Sequence, residues 1–306
     1  MKKLLKWTGI VLGSLVALLL VTAVVLFVIG SKRLNRTYDI QPEAIAIPTD
    51  EAAIARGQHL VDALTLCKGC HGEQLEGDIF EDEPMIATFY APNLTSGRGG
   101  LGAAYSDADY VNAIRHGITP QGRGLLIMHS DVYHNLSQPD LGAIIAYLKS
   151  VPPVDNELPN LKITPLGKIL VALGVFDSEA LPLIPAEEID HSIPFAEMPP
   201  QSVTAEYGDY LVSITLCHMC HGPELAGSPP LEPGMEPGPN LTPGGELADW
   251  SEADFIRAMR TGIDPHGHML DSDSMPWDVY TNMTDEELNS LWLYLQSLPT
   301  VSNTDE

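Results

Sequence analysis

Positively charged side chains are scarce in this chain of 306 residues. It contains 16 Lys and Arg against 41 Asp and Glu, so its formal net charge is −25 at pH 7. This acidic balance disfavours nucleic acid and anionic membrane surfaces as partners. It favours a partner with a basic docking face, and the alternative is that the acidic surface only keeps the protein soluble. The sequence also lacks a Ser/His/Asp order and a glycine-rich phosphate loop. We therefore predict that the protein is not itself an enzyme.

Cysteine is rare as well, and all four cysteines lie in two copies of one short pattern. The first copy, LCKGCHG, spans residues 66–72, and the second, LCHMCHG, spans residues 216–222. Each copy places two thiols on one side of a helical turn, with a histidine directly after them. A C-x-x-C-H run is the attachment pattern of c-type haem. The predicted haem-binding residues are Cys67, Cys70 and His71 in the first copy and Cys217, Cys220 and His221 in the second.

The order of residues in the pattern fits this chemistry. Two closely spaced thiols can bond to the vinyl groups along one edge of a porphyrin, and the adjacent histidine can supply an imidazole nitrogen to the iron. A zinc site, a thioredoxin-like redox pair and a disulfide framework are the alternatives. A four-cysteine zinc site requires the two pairs to converge, and a redox pair does not require a histidine after each copy. The duplication favours two covalently bound haem c groups.

The N-terminal region contains a long run without charge, from Trp7 to Gly30. As a helix, these roughly 24 residues would extend about 36 Å, enough to cross a hydrocarbon core of ~30 Å. A cleaved signal peptide would have a shorter apolar region of about 7–15 residues. We therefore predict an uncleaved transmembrane helix. Lysines and arginines flank the run on both sides, so charge alone does not determine its orientation.

The rest of the chain reads as a tandem repeat. The segment PNLT at 92–95 recurs at 239–242, and LGAIIAYLKSVP at 141–152 corresponds to LNSLWLYLQSLP at 288–299. Ala55 and Ala205 each lie twelve residues before the first cysteine of their copy. Such internal similarity indicates duplication of one globular unit. The predicted organisation is an anchor at 1–34, a stalk at 35–49, a first domain at 50–153, a Pro-rich segment at 154–202, a second domain at 203–301 and a tail at 302–306.

The repeat also indicates a second ligand for each iron. Residues 128–141 align with residues 275–288 at an offset of 147, which brings Met128 and Met275 into register. A thioether is a soft, neutral donor that suits haem iron and raises its potential. A methionine in this position can also simply fill the core. Because both methionines occupy the same place between a Gly-rich turn and a C-terminal helix, we predict that they are axial ligands.

Each unit resembles a class I cytochrome c domain, in its C-x-x-C-H run after a helix, its PNLT segment, its methionine loop and its C-terminal helix. The resemblance covers roughly residues 50–153 and 200–300. It implies an all-α fold of two tandem cytochrome c domains behind an N-terminal transmembrane helix, with iron bound by His71 and Met128 and by His221 and Met275. Where the family usually has Met-Pro, the first unit has Met128 followed by His129, so His129 is a rival ligand.

The resemblance carries further implications. The carbonyl groups of Pro92 and Pro239 should accept hydrogen bonds from the ring nitrogens of His71 and His221 that face away from iron. In bacteria such cytochromes acquire haem outside the cytoplasmic membrane, which implies a cytoplasmic N-terminus and periplasmic haem domains. The other histidines are expected at the surface: His59, His116, His134, His191, His218, His266 and His268.

These features predict a membrane-anchored electron carrier that relays single electrons between a redox donor and an acceptor such as an oxidase, through small and short-lived contacts. Two alternatives are a haem enzyme of the di-haem peroxidase type and a permanent cytochrome subunit of a dehydrogenase or oxidase complex. The Pro-rich segment at 154–202 is too long for a turn, and it contains the apolar stretch GKILVALGVF. We expect it to pack along the domain seam or over a haem edge.

Overall fold

The computed structural model describes residues 1–159, 161–178, 181–231 and 235–302. The predicted tail at 302–306 lies outside these residues except for its first position. By length and composition, helix α1 (Lys2–Leu34) is long and apolar enough to cross a membrane. The stalk that follows has no helix. It lies along the first domain, where the amide of Tyr38 donates to the carbonyl oxygen of Gly122 at 2.7 Å.

The rest of the chain is mostly helical, as predicted. The first domain contains α2 (Glu51–Ala63), α3 (Cys67–His71), β1 (Asp78–Glu83), β2 (Ala87–Ala91), α4 (Asp107–His116), α5 (Ser130–Tyr133) and α6 (Gln138–Ser150). The inter-domain segment contains β3 (Lys162–Ile163), α7 (Pro165–Ala172) and a 3-10 turn at Pro185–Glu187. The second domain contains α8 (Ala205–Ile214), α9 (Cys217–His221), a 3-10 turn at Glu246–Asp249, α10 (Glu252–Thr261), α11 (Trp277–Tyr280) and α12 (Asp285–Ser297).

In each domain the first long helix crosses the last one at a glycine. A Cβ atom at Gly57 in α2 would overlap the carbonyl oxygen of Ala143 in α6, and one at Gly208 in α8 would overlap that of Ser290 in α12. The two backbones approach this closely only because glycine has no side chain. Leu60, Leu141, Leu211 and Leu288, all fully buried in these four helices, belong to one continuous core that runs through both domains.

The close crossings show that the first domain has one more residue than the second between the crossing glycine and the first cysteine. Counting back from the cysteines pairs Ala55 with Ala205, but the crossings pair Gly57 with Gly208, an offset of 151 rather than 150. The extra residue lies at the end of α2, where the amide of Thr65 donates to the carbonyl oxygen five residues back, at Leu60. The amide of Thr215 donates only four residues back, to Leu211. A wider turn therefore absorbs the insertion.

A three-stranded antiparallel sheet, β1-β2-β3, was not predicted. Strand β3 comes from the inter-domain segment and pairs with β2 of the first domain. The segment thus packs against folded parts of the chain, as expected, but mainly against α1 and the first domain rather than along the interface between the two domains. Its end reaches that interface at Met198, which lines a small cavity together with Arg56 and Asp140.

The two domains meet through reciprocal contacts. Asn135, just after α5, donates to the carbonyl oxygen of Ser213 at 3.2 Å. The equivalent Asn282, just after α11, donates to the carbonyl oxygen of Asp62 at 3.4 Å. The two donors are 147 residues apart, and the two acceptors, Asp62 and Ser213, are 151 residues apart. These are the offsets of the repeat in their parts of the domains, so the two hydrogen bonds are equivalent. Exchange of equivalent contacts indicates an approximate two-fold axis between the domains. We call this interface the seam.

Two buried carboxylates occupy equivalent places in the seam. Asp140 is 1% exposed and accepts hydrogen bonds from Nε and Nη2 of Arg56, both at 3.0 Å, and from the hydroxyl of Tyr210 at 2.7 Å. Glu287 is 2% exposed, lies 3.2 Å from Nη1 of Arg56, and lies 2.8 Å from Nε2 of His59. Arg56 thus bridges a carboxylate of its own domain and one of the other. Buried charges of this kind require partners.

This arrangement predicts acid sensitivity of the seam. Burial raises the pKa of Glu287, but hydrogen bonds from His59 and the Thr284 amide, together with the charges of His59 and Arg56, outweigh burial and leave this pKa below its ordinary value. A depressed pKa gives stability that is complete above the unfolded-state value of about 4.3 and is lost as the pH falls through the folded-state value. We expect calorimetry to show one joint unfolding transition at neutral pH and separate domain transitions once the pH falls below the lowered pKa of Glu287. Glu287→Gln should reduce this pH dependence, and a joint transition that persists in acid would contradict the prediction.

Candidate haem-binding sites

The two cysteine motifs form short helical turns of the same shape, α3 and α9. The hydroxyl of the preceding threonine lies close to the first sulfur in each: 3.2 Å from Thr65 to Cys67 and 3.1 Å from Thr215 to Cys217. All four cysteines are free. Burial raises the pKa of Cys67 to about 11 and raises the pKa of the other three thiols as well. These sulfurs are therefore protonated thiols at neutral pH.

The histidine that ends each motif is held by a carbonyl group. Nδ1 of His71 lies 2.8 Å from the carbonyl oxygen of Pro92, and Nδ1 of His221 lies 2.8 Å from that of Pro239. A carbonyl oxygen only accepts, so Nδ1 carries the proton in both rings. Burial lowers the pKa of both histidines, which keeps them uncharged. Nε2 of each ring is then left with a free lone pair, the form in which imidazole binds a metal.

The backbone brings each proline to its histidine in the same way. Leu75 and Leu225 adopt left-handed conformations with φ of 59° and 55°. The carbonyl oxygen of Leu75 then accepts from the amide of Leu94, and that of Leu225 from the amide of Leu241, both at 2.8 Å. These bonds fasten the PNLT segment alongside the loop after the motif.

The asparagine of each PNLT segment has a role that sequence reasoning missed. Nδ2 of Asn93 donates to the carbonyl oxygen of Val154 at 2.8 Å, and Nδ2 of Asn240 donates to that of Val301 at 2.7 Å. Both acceptors lie just beyond the last helix of their domain. The side chains therefore tie the segment that holds the histidine to the end of the domain. The signal was present in the repeat, because Val154 and Val301 are also 147 residues apart.

In the second domain these groups surround a cavity of about 450 Å³. Both cysteines of the motif and His221 line it, and Met275 lines it as well, so the structure brings the two predicted ligands of this domain into one cavity. Much of the remaining lining is apolar, including Leu241, Leu247, Trp250, Phe255, Met259, Leu291 and Leu295. The size and apolar character are typical of a site for a large organic cofactor.

In the first domain, Met128 and Cys67 are both partly buried against the same core. The turn after Met128 matches the turn after Met275: the amide two residues on donates back to the methionine carbonyl, at 2.6 Å in the first domain and 2.7 Å in the second. His129 has φ −69° and ψ 47°, close to the −75° and 55° of Pro276. The missing proline thus leaves the backbone shape unchanged. Burial lowers the pKa of His129 to about 4, so its ring is neutral.

Of the seven histidines expected at the surface, His266 and His268 are exposed, whereas His59, His134, His191 and His218 are half-buried. His116 is buried, not at the surface. Its Nε2 lies 3.1 Å from Oε2 of Glu43 in the stalk, and its Nδ1 lies 3.1 Å from Nδ1 of His191 in the inter-domain segment. The prediction was wrong because the covering residues are more than 70 positions away in the sequence. His116 joins the stalk and the inter-domain segment to the first domain.

Comparison with curated proteins gives several relatives. The fructose dehydrogenase cytochrome subunit of Gluconobacter japonicus is 27% identical over 273 residues, covering 81% of this chain and 53% of the relative. The alcohol dehydrogenase (quinone) cytochrome c subunit of Gluconacetobacter polyoxogenes is 27% identical over 286 residues, covering 82% and 57%. The chain thus spans about half the length of these two relatives.

A relative of similar length is the diheme cytochrome c-type protein of Cereibacter sphaeroides. It is 26% identical over 304 residues, covering 88% of this chain and 93% of the relative. The family model for cytochrome c matches residues 54–152 and again residues 205–299, which together are more than half of the chain. Both matches contain one C-x-x-C-H turn and one histidine held by a proline carbonyl. This chain therefore belongs to the cytochrome c family, with two cytochrome c domains.

Proposed function

We propose that the protein binds two haem c groups, one in each domain, and serves as a membrane-anchored relay for single electrons. The observation that carries the proposal is the repeated geometry of the histidines. In both domains a neutral imidazole is fixed through Nδ1 beside two free thiols, with Nε2 left to bind iron. When bound, haem supplies a one-electron Fe(III)/Fe(II) couple.

The residues of the second domain fit this group. Its cavity is apolar and has two thiols and an imidazole on its wall. Cys217 and Cys220 would bond to the vinyl groups, and His221 and Met275 would bind the iron. Pro239 would orient the ring of His221 through its carbonyl group. By the repeat, Cys67, Cys70, His71, Met128 and Pro92 would have the same roles in the first domain.

Ligation by a histidine and a methionine favours a carrier over a catalyst. With both a histidine and a methionine as ligands, each site would have no free position left for peroxide or oxygen. A peroxidase-type function would require one of the methionines to leave the iron. Carbon monoxide tests this directly: the reduced carrier should bind little of it, whereas stoichiometric binding at one haem would favour the enzyme.

The seam supports transfer between the two domains. Its reciprocal bonds and the bridging Arg56 hold the domains in one relative position. A fixed position keeps the separation of the two cofactors constant, as rapid electron hopping requires. One domain would receive electrons and the other would pass them on.

We further propose that α1 is retained as a membrane anchor, with the haem domains on the periplasmic side. Arg33, in its last turn, bonds to Asp177 at 2.5 Å and to Glu187 at 2.6 Å. Removal of α1 as a signal peptide would deprive both carboxylates of this partner. The periplasmic placement rests on the resemblance to cytochromes that acquire haem there.

The electron donor that we propose is a membrane dehydrogenase, because two of the relatives described above are dehydrogenase cytochrome subunits. The same names favour a second candidate, in which the chain is a permanent subunit of such a complex. Purification in mild detergent separates the two. A permanent subunit should co-purify with its companions in fixed proportion, whereas a carrier should elute alone.

The role of Met275 gives a direct test of the relay. Met275→Ala should remove the near-infrared sulfur-to-iron band of one haem and lower its midpoint potential by on the order of 100 mV, because a thioether favours reduced iron. Redox titration with near-infrared absorbance measures both. Met269 also lines the cavity but is mainly exposed, so Met269→Ala is a matched control that should change neither.

The first domain can be tested in parallel. Met128→Ala should remove the band of the other haem. If the ligand is His129 instead, Met128→Ala will leave the spectrum and midpoint potential of this haem unchanged, and His129→Ala will shift that potential. Retention of both bands in Met275→Ala would contradict the proposed ligand set.

A further inference from the structure

The inter-domain segment is packed against the end of the transmembrane helix. Gly30 of α1 contacts α7 so closely that a Cβ atom there would overlap the carbonyl oxygen of Lys168. Nζ of Lys168 lies 5.1 Å from the ring centre of Phe27. Both Phe27 and Gly30 belong to the charge-free run of the anchor. Helix α7 therefore lies beside the last apolar turn of α1.

A second set of contacts fixes the chain that follows α7. Gly30 faces the amide of Ala172, and Arg33 bonds to Asp177 with distances of 2.5 and 2.9 Å. Residues 173–176 lie between these two attachments. Since a helix rises ~1.5 Å per residue, the attachment points on α1 differ in height by only about 5 Å. The loop after α7 is thus held beside the C-terminal end of the apolar run of α1.

The composition of residues 161–176 differs from that of the rest of the protein. The chain has 41 acidic residues, but this stretch has none, and it carries Lys162 and Lys168. Large apolar side chains project from it: Leu166, Leu173 and Val175 are 44%, 58% and 59% exposed. An apolar surface beside lysines is typical of segments that lie in the interface of a membrane.

We propose that residues 161–176 form a membrane-contacting platform that inserts Leu166, Leu173 and Val175 into the interfacial layer of the bilayer crossed by α1. The acidic charge of the whole chain disfavours anionic membrane surfaces, but this platform is locally basic and is joined to the anchor. The contact with α1 indicates that lipid covers the exposed side chains of this platform. A helix that packs against the end of a membrane-spanning helix lies at the same depth and contacts the same lipid. The platform would hold the first domain at a fixed height above the membrane.

The experiment uses the full-length holoprotein in liposomes of zwitterionic and anionic phospholipid. A photoreactive diazirine amino acid replaces Leu173 in one variant and Leu166 in another, so that a folding defect at one position does not decide the result. The matched control replaces Leu293 of α12, a leucine of the second domain that is 40% exposed. A fourth variant replaces Leu18 in the middle of α1. The covalent haem content of each variant reports whether it has folded.

After illumination, mass spectrometry measures the lipid adducts. We expect roughly tenfold more adduct at Leu173 and Leu166 than at Leu293, because the interfacial layer places acyl chains within reach of the platform. Equal yields at all three would overturn the proposal. The proposal rests on the anchoring role of α1, and the Leu18 variant distinguishes the two claims. Labelling at Leu18 alone would refute the platform and support the anchor. No labelling at Leu18 would refute both. In native membranes, an adduct with a polypeptide in place of lipid would also overturn it.

Discussion

Replacement of Cys217 and Cys220 by serine is expected to leave one covalent haem per chain instead of two and to unfold the second domain. By the proposed function, the thiols would hold the cofactor, and the cofactor would fill the cavity of about 450 Å³ in that domain. Without the cofactor the apolar walls of this cavity would be exposed to water, which costs about 1.5–3 kcal/mol for each large apolar side chain. Exposure of only a few of them is comparable to the entire stability of an ordinary domain, about 5–15 kcal/mol. The pyridine haemochrome assay counts the haem, and calorimetry follows the unfolding.

The duplicated motif supplies the matched variant. Cys67→Ser with Cys70→Ser should remove the haem of the first domain and spare that of the second, and the fourfold variant should contain none. Two haem equivalents in either double variant would refute the attachment sites. One equivalent in the wild-type protein would refute the proposed cofactor count.

The second large effect is expected at the seam. Asp140→Ala should destabilise the protein by about 1–3 kcal/mol, because the buried hydroxyl of Tyr210 loses its acceptor and Arg56 keeps only its pair with Glu287. Here the partners are Arg56 and Tyr210, which both donate to Asp140. Chemical denaturation measures the loss of stability. Electron transfer between the domains should slow as well, because the hydrogen bond from Tyr210 to Asp140 joins the second domain to the first.

An exposed ion pair provides the control for this variant. Asp107 is paired with Lys149, and both side chains are largely accessible to solvent. Asp107→Ala should cost less than about 1 kcal/mol, as surface ion pairs generally contribute little. If Asp140→Ala were no more damaging than Asp107→Ala, the ionic contacts would not be what stabilises the seam.

The fold class was predictable because its signals are local. The C-x-x-C-H turns, the PNLT segments and the C-terminal helices are short patterns that the duplication presents twice. Met128 and Met275 could be aligned for the same reason. Even the change from proline to histidine at position 129 was visible in the sequence, although only the structure shows that His129 adopts the backbone conformation of Pro276.

Features that depend on distant residues were not predictable. His116 is buried by Glu43 and His191, which lie 73 and 75 positions away. Strand β1 is largely acidic and shows no apolar alternation, so the hairpin gave no sequence signal. The extra residue at the end of α2 appears only when the glycine crossings are compared. The partners of Asp140 and Glu287 likewise come from helices far apart in the sequence.

The seam also restricts how such domains can combine. Arg56 and His59 of the first domain correspond to Tyr207 and Tyr210 of the second, at an offset of 151. Homotypic pairing of two second domains would therefore bury both Glu287 carboxylates against tyrosines, with no cation to neutralise them. Pairing of the two different halves places the guanidinium of Arg56 between both carboxylates and the imidazole of His59 against Glu287. The carboxylate that a second domain buries at this interface is thus neutralised by cations that only a first domain carries.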